Sequence, residues 1–411
     1  MTLLGCIADD VTGGTDVAAA LRRTGLTVTL LFDVPTEATT PPSTDAVVVA
    51  LKTRAVPAEE AVAQSLACLA WLQAQRAERI YFKYCSTFDS TPRGNIGPVA
   101  DALLEALDEQ VTLICPASPD HGRTMYQGHL FVHDRLLSES SMRQHPLTPM
   151  TDPLITRVLQ HQTSGTVGLL PLRVVRDGVQ AVRAELAELE ARQVRHVVVD
   201  AVEEADLRTV ASAVAGLHLL TGGAGLAGAL GHVLVDGRDD SGVPAVELPA
   251  GPTVVLAGSC STTTLGQVAK AAAAMPSYRL DPASCPGGML EQGRAWLRGN
   301  LDRAPLLVYS SAPADVRAAG APGAAQDLER TFGVLAAEAV AGGATRIVVA
   351  GGETSGAVVQ SLGIDSVLVG QEADPGVPWC LATDRPLALL LKSGNFGRPD
   401  LLVRAATEDD S

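Results

Sequence analysis

Residues 346–360 read Arg-Ile-Val-Val-Ala-Gly-Gly-Glu-Thr-Ser-Gly-Ala-Val-Val-Gln. After its first residue the run to Ala350 is continuously apolar, the pattern of a strand covered on both faces. Gly351 and Gly352 then turn the chain into a stretch with helical apolar spacing. A strand covered on both faces needs helices above and below its sheet, which makes the surrounding fold α/β. The turn leaves unpaired N–H groups at a helix start, where the helix dipole is positive and a phosphate binds. Glycine is also common in such turns for steric reasons alone, so this stretch does not by itself decide between the two.

The same unit recurs along the chain. Strands are expected at Leu3–Ala8, Thr27–Phe32, Asp45–Leu51, Ile80–Tyr84, Val111–Cys115, Thr166–Val175, His196–Asp200 and Leu217–Leu220. Between them, helical spacing covers Asp16–Leu21, Ala58–Gln75, Pro98–Leu107, Leu154–Gln160, Ala181–Gln193, Ala205–Ala215 and Leu226–Leu234. This alternation gives βαβ units, a mostly parallel sheet and right-handed crossovers with helices on both faces. Residues 116–153 break the rhythm with a long polar segment rich in His and Pro, holding a hairpin-like run at Gly128–Val132. Long loops in compact domains are usually functional.

A Gly-, Pro- and Asp-rich segment, 236–252, reads as a linker, so the expected domains are 1–235 and 253–411. A chain of 411 residues is long enough for two domains. The second half restarts with strands at Val254–Ala257, Leu306–Ser310, Ile347–Ala350, Val367–Val369 and Leu387–Leu391, and helices at Thr263–Ala274 and Asp327–Ala341. Ala312–Ala325 reads as a surface connection.

Charge and cysteine usage narrow the partners. A net charge of −15 argues against a general nucleic-acid or anionic-membrane surface, which needs clustered Lys and Arg. A small anionic substrate needs only a local cationic pocket. None of the seven cysteines forms a Cys-x-x-Cys pair. The opening MTLLGCIADD lacks a basic signal-peptide start, and no apolar run is long enough for a membrane span, so a cytoplasmic protein is expected.

Ligands of open α/β sheets bind at the carboxyl ends of the strands. In the first half those ends deliver Asp9 and Asp10, then Lys83 with Ser86, Thr87, Asp89 and Ser90, then Pro116–Arg123. Cations there clamp a carboxylate and aspartates accept from hydroxyls, which suits a polyhydroxylated acid. Each residue alone also reads as a loop residue or helix cap, as Asp10, Thr12 and Asp16 do. In the second half the ends deliver Gly258-Ser259-Cys260-Ser261, Gly351–Thr354 and Lys392-Ser393-Gly394-Asn395-Phe396-Gly397. Repeated turns rich in glycine and hydroxyls suit nucleotide phosphates, and Lys392 could add charge to them. No Walker pattern occurs, so an ATP site here is not a P-loop. Gly223-Ala-Gly-Leu-Ala-Gly228 spells G-x-G-x-x-G but runs into the linker rather than a second strand with a terminal acid. His129 and His133, near His121 and His145, read as hydrogen-bonders in a polar loop rather than metal ligands.

The chain resembles the four-carbon acid sugar kinases, and among them the 3-oxo-tetronate kinase group. The matching stretches are Ile7–Asp16, Phe82–Thr91, Asn95–Pro98, Gly122–Val132, Met142–Asp152, Gly258–Ser261, Gly351–Gly356 and Lys392–Gly397, in order across both halves. The resemblance implies an N-terminal sugar-acid domain, a C-terminal nucleotide domain and an active site in the cleft between them. It implies ATP-dependent phosphorylation of the C4 hydroxyl of a 3-oxo-tetronate, with Mg²⁺ accompanying ATP and no protein ligand to it assigned. Nucleotide contacts fall on Ser259, Gly351, Gly352, Glu353, Thr354 and Gly394. Substrate contacts fall on Asp9, Asp10, Lys83, Asp89, Arg123 and His145, with Asp10 the choice for orienting or deprotonating the hydroxyl. A D-threonate or D-erythronate kinase shares this pattern. A dinucleotide-dependent oxidoreductase built on Gly223–Gly228, or a sugar-acid sensor without catalysis, would fit parts of it. The expected partners are the sugar acid and ATP, and a homo-oligomer is left open.

Overall fold

A computed structural model describes residues 2–36, 39, 43–88, 90–144, 148–236, 246–281, 288–312 and 324–407. Asp89, His145, most of the expected linker and most of the 312–325 connection lie outside the described residues. The chain divides into two compact units, Met1–Val243 and Pro244–Ser411.

The first unit opens with β1 (Leu4–Ala8), α1 (Val11–Arg23), β2 (Val28–Phe32), β3 (Ala46–Ala50), α2 (Ala58–Ala74), β4 (Arg79–Lys83), α3 (Ile96–Ala106) and β5 (Thr112–Cys115). A small antiparallel sheet of β6 (Arg123–Tyr126), β7 (His129–Val132) and β8 (Arg135–Leu136) follows. Then come α4 (Ile155–Gln160), β9 (Thr166–Leu170), α5 (Leu172–Arg176), α6 (Val179–Ala191), β10 (Val194–Val199), α7 (Glu204–Val214), β11 (Leu219–Gly222) and α8 (Ala224–Val235). The main sheet has the order β2-β3-β1-β4-β11-β5-β10-β9 and is parallel throughout. Both β1 and β3 are buried at every position, as continuous apolar runs require.

Helix α1 begins directly after β1. Asp10 is its N-cap, accepting from the Gly13 N–H at 2.8 Å. A Cβ at Gly14 would lie 2.7 Å from that of Ala50, so only glycine lets α1 settle this low over β3. The helix thus starts five residues before the expected Asp16, and its first two turns lie against the strand ends.

The second unit contains β12 (Thr253–Ala257), α9 (Thr262–Ala274), β13 (Ser277–Arg279), α10 (Met289–Asn300), β14 (Leu306–Tyr309), α11 (Ala324–Ala341), β15 (Arg346–Ala350) and α12 (Gly352–Leu362). It ends with β16 (Ser366–Asp374), β17 (Val377–Ala382), β18 (Ala388–Lys392) and α13 (Leu401–Thr407). Its strand order is β13-β14-β12-β15-β18-β17-β16, parallel except where β17 meets β18 and β16. Trp379 and Leu390 pack with Val255, Val348 and Leu402 in its core.

Three local features differ from expectation. The run Thr166–Val175 is a strand only to Leu170, because Pro171 has no N–H for the ladder and α5 starts behind it. Val367–Val369 belongs to a longer hairpin turned at Pro375-Gly376. Helix α10 was not expected, because Gly293 interrupts its buried stripe of Met289 and Leu297.

Asp200, fully buried, fixes the small sheet of the first unit. Its carboxylate accepts from the N–H groups of Gln127 at 2.7 Å, Gly128 at 2.9 Å and Leu172 at 3.2 Å. Asp200→Ala leaves these donors buried without partners. The expected loss is about 3 kcal/mol in urea unfolding, with increased amide exchange at Gln127 and Gly128.

Candidate functional site

In the first unit the strand order β3-β1-β4 places the ends of three strands side by side. The Asp9 carbonyl accepts from the Thr53 and Arg54 N–H groups at 2.9 and 3.1 Å, which draws the chain after β3 against the end of β1. Asn95 locks that turn by donating to the carbonyls of Thr53 and Val56. Arg54 is thereby fixed between two carboxylates. Its Nε and Nη2 reach Asp9 at 2.9 and 2.8 Å, and Nη2 also reaches Asp10 Oδ1 at 2.6 Å. Thr12 adds a bond to Asp10 Oδ2 at 2.9 Å.

Charge is divided unevenly across this group. Burial raises the pKa of Asp10, but Arg54 and Lys83, with the bonds from Thr12 and Gly13, outweigh it and hold the carboxyl below its ordinary value. For Asp9 burial is the larger effect and pushes it above the ordinary value despite Arg54.

Lys83 is 2% exposed at the end of β4, and its Nζ lies 3.5 Å from Asp16 Oδ2 under α1. Among the described residues Asp16 Oδ1 and Arg123 Nε are buried with no hydrogen-bond partner. Arg123 Nη1 donates to the His121 carbonyl. Burial lowers the pKa of His121, which also senses Asp16 and Arg123. A carboxylate acceptor and a guanidinium donor thus remain for a ligand that carries hydroxyls and a carboxylate.

In the second unit three turns meet at the ends of β12, β15 and β18. Gly258 and Ser259 both donate to the Ala350 carbonyl at 3.0 Å, and Gly351 donates to the Lys392 carbonyl at 2.9 Å. A Cβ at Gly394 would come within 2.6 Å of Ser259 Oγ, and one at Gly351 within 3.0 Å of Ser259 N. Gly351 has φ 129°, a conformation that favours glycine. Ser259, Gly351, Thr354 and Gly394 are therefore brought together, with Gly352 and exposed Glu353 in the first turn of α12. The first N–H groups of α12 have no partner within the helix and carry the positive end of its dipole. This donor set fits a polyphosphate. Among the described residues no three His, Cys, Asp or Glu side chains gather as a metal cage. A divalent cation here would be carried by phosphate oxygens and water, with Glu353 the acidic side chain of that turn.

Of the expected residues, Asp9, Asp10 and Lys83 lie at adjacent strand ends and Arg123 begins β6. Asp89 and His145 lie outside the described residues. Sequence reading passed over Arg54 and left Asp16 as a cap candidate. The end of β3, which delivers Arg54, was among the strand ends not taken up there. Lys392 is wholly buried, and its Nζ meets the Gly394 turn from the inner side, at the Ser393 and Gly394 carbonyls. The G-x-G-x-x-G glycines serve packing: a Cβ at Gly223 or Gly225 would lie 3.0 or 2.7 Å from the carbonyls of Pro116 and Ala117. His129 Nδ1 bonds the Gln127 carbonyl and His121 Nδ1 bonds Ser118. Among the described residues no helix is long and apolar enough to cross a membrane.

Comparisons with known proteins follow the same division. Residues 4–230 match the sugar-binding N-terminal domain model and residues 254–402 the nucleotide-binding C-terminal domain model. A 3-oxo-tetronate kinase of Cupriavidus necator is 47% identical, over 98% of this chain and 96% of its own. That of Salmonella typhimurium is 44% identical over 99% of both. A crystal structure from Salmonella typhimurium LT2, solved under a provisional description as a tRNA synthase, superposes with TM-score 0.88 at 43% identity over 98% of both chains. One from Haemophilus influenzae gives TM-score 0.80 at 43% identity over 98% of both.

Arg54→Met removes the only cation that contacts both Asp9 and Asp10 among the described residues. The depressed Asp10 carboxyl stabilises the fold above the unfolded carboxylate pKa, and that contribution is lost as pH falls through its folded value. Urea unfolding should therefore show a loss of about 3–5 kcal/mol at neutral pH. The loss should shrink in acid, where the orphaned carboxyls take up protons.

Proposed function

The chain belongs to the four-carbon acid sugar kinases, and from that premise we propose that it transfers the γ-phosphoryl group of ATP to the C4 hydroxyl of a 3-oxo-tetronate. The observation that carries this reading is the meeting of three strand-end turns at Ser259, Gly351 and Gly394, inside the domain matched by the nucleotide-binding model. The substrate class rests on the relatives' 3-oxo-tetronate kinase names at 44–48% identity. The first unit supplies a donor and an acceptor suited to such an acid in Arg123 and Asp16.

In the reaction the C4 oxygen bonds to the γ-phosphorus as the bond to the β,γ-bridging oxygen breaks. The hydroxyl proton leaves the sugar acid, and ADP departs. Such transfer is mostly positioning and charge stabilisation. The Gly351–Thr354 turn, Ser259 and Gly394 hold the phosphates. Mg²⁺ accompanying ATP would supply positive charge to the phosphates, and Glu353 is the acidic side chain of the turn nearest to hold it. Arg123 clamps the substrate carboxylate, and Lys83, paired with Asp16, orients the hydroxyls. Asp9 supports Arg54. Asp10 stays ionised at neutral pH, so it orients the C4 hydroxyl and receives its proton as the new bond forms.

A coupled assay of ADP release over a panel of four-carbon acids, with 3-oxo acids generated in situ, tests the reading. Turnover is expected with a 3-oxo-tetronate and much less with D-threonate or D-erythronate. No ADP release with any acid would sink the kinase reading, and preference for D-threonate would move the chain to the sister activity. Asp10→Asn should lower kcat by about 10²–10⁴ while ADP still binds.

A further inference from the structure

Lys392 ends β18 with a relative exposure of 0%, yet among the described residues it forms no ion pair. Its Nζ donates instead to Thr264 Oγ1 at 2.9 Å, the Ser393 carbonyl at 2.9 Å and the Gly394 carbonyl at 3.0 Å. An ammonium has three donors, so all are used. The Gly394 carbonyl also accepts from Thr264 Oγ1 at 2.8 Å and from Ser261 Oγ. So many donors on one carbonyl fix its direction firmly.

That direction has a consequence across the peptide plane. In a trans peptide the N–H points opposite to the carbonyl of the preceding residue. With the Ser393 and Gly394 oxygens drawn inward to Lys392, the Gly394 and Asn395 N–H groups face outward. Neither donates a bond among the described residues, and Asn395 is exposed. Consecutive outward N–H groups form an anion-binding concavity. They lie beside Ser259, which a Gly394 Cβ would meet at 2.6 Å.

We propose that Lys392 is a positioning residue for the nucleotide: its buried ammonium holds the Ser393 and Gly394 carbonyls inward, so that the Gly394 and Asn395 N–H groups are presented to a phosphate it never touches. The proposal rests on reading the Ser259–Gly351–Gly394 turns as the nucleotide site.

The arrangement makes binding sensitive to pH. Burial pushes Lys392 down to about 7, with no contribution from a charged neighbour. The ionisable side chains on the surrounding elements are Lys270 on α9, Arg346 on β15, Cys380 on β17, Glu353 on α12 and Arg404 on α13. Of these, Arg346 bonds the Pro249 carbonyl, Arg404 pairs with Asp374, and burial keeps the Cys380 thiol neutral. Below its pKa Lys392 has a donor for each of its three acceptors. Above it, the neutral amine has two, and one acceptor is left without its donor.

Calorimetric titration of MgADP into the full chain between about pH 6.5 and 8.5 tests this. The wild-type dissociation constant should rise across that range. Lys392→Met should bind about tenfold more weakly at the acid end, with the gap closing at the alkaline end. Thr264→Val removes a donor from the Gly394 carbonyl and also one of the three Lys392 acceptors, so it should weaken binding and flatten the pH dependence. A folded Lys392→Met protein that binds as wild type, or a ratio to wild type that stays constant with pH, overturns the proposal. If Lys392→Met does not fold, a flat wild-type profile overturns it. Gly394→Val separates the two readings, because its side chain would collide with Ser259. If it binds MgADP normally, the nucleotide site itself is misplaced and the Lys392 proposal falls with it. If it loses binding while the Lys392 experiments show no effect, only the Lys392 proposal falls.

Discussion

Arg54 sits between two carboxylates that directly precede a helix, and the layout of the first unit follows from that contact. Asp10 caps α1, so the helix cannot start elsewhere without losing both the cap and the ion pair. Asp9 accepts from the backbone of Thr53 and Arg54, so the ends of β1 and β3 are tied by chain as well as by charge. The Arg54 guanidinium uses its fork on Asp9 and shares one arm with Asp10, a geometry that a lysine point charge would not reproduce. Removing water from such a group is costly, and the attraction offsets that cost only because the hydrogen bonds are well made. Two polar atoms of the neighbouring group, on Asp16 and Arg123, are left unmatched. Buried polar atoms without a partner are uncommon in folded proteins, which singles this group out as a place for a ligand.

The second unit handles a buried cation differently. Lys392 faces carbonyls and a hydroxyl, and among the described residues no carboxylate pairs with it. Peptide dipoles are weaker partners than a carboxylate, which is why burial lowers its pKa so far. A carboxylate there would hold the ammonium charged at any ordinary pH, but it would also place negative charge under a turn whose N–H groups face an anion. Dipoles turned inward leave their positive ends outward. The same buried ammonium that is costly to desolvate therefore gives the turn its polarity. Gln267 and Asp374 continue the arrangement along the loop. Gln267 Nε2 donates to the carbonyls of Phe396, Gly397 and Arg398, and Asp374 holds Arg398 and Arg404.

Much of this was legible in the sequence because it depends on local patterns. Continuous apolar runs marked the strands, and the glycine turns at Gly351 and Gly394 marked strand ends that the structure brings together. Arg54 was not legible, since its importance depends on β3 lying beside β1, and the order β2-β3-β1-β4 is not written in any one segment. The burial of Lys392 was not legible for a related reason. Its position after a strand suggested a phosphate contact, but whether a lysine points outward or under the turn is decided by which hydroxyls and carbonyls α9 and the loop bring near it. The Gly223–Gly228 pattern failed in the other direction. Its glycines are required by close approach of residues 116 and 117, a steric need that produces the same spelling as a cofactor turn.

A chain with net charge −15 that takes two anionic ligands needs its cations where they cannot be averaged away. Surface charge is screened over roughly 8 Å at physiological salt, so the overall negative field falls off quickly with distance. What stays close at hand is local: in the first unit a guanidinium whose Nε has no partner among the described residues, and in the second a buried ammonium bonded to the Ser393 and Gly394 carbonyls. Partial charges fixed in place by the fold need little rearrangement when the phosphate arrives or when charge shifts in the transition state. The acidic surface can then keep the protein from nucleic acids and anionic membranes without weakening its hold on small anions, because the two act over different distances.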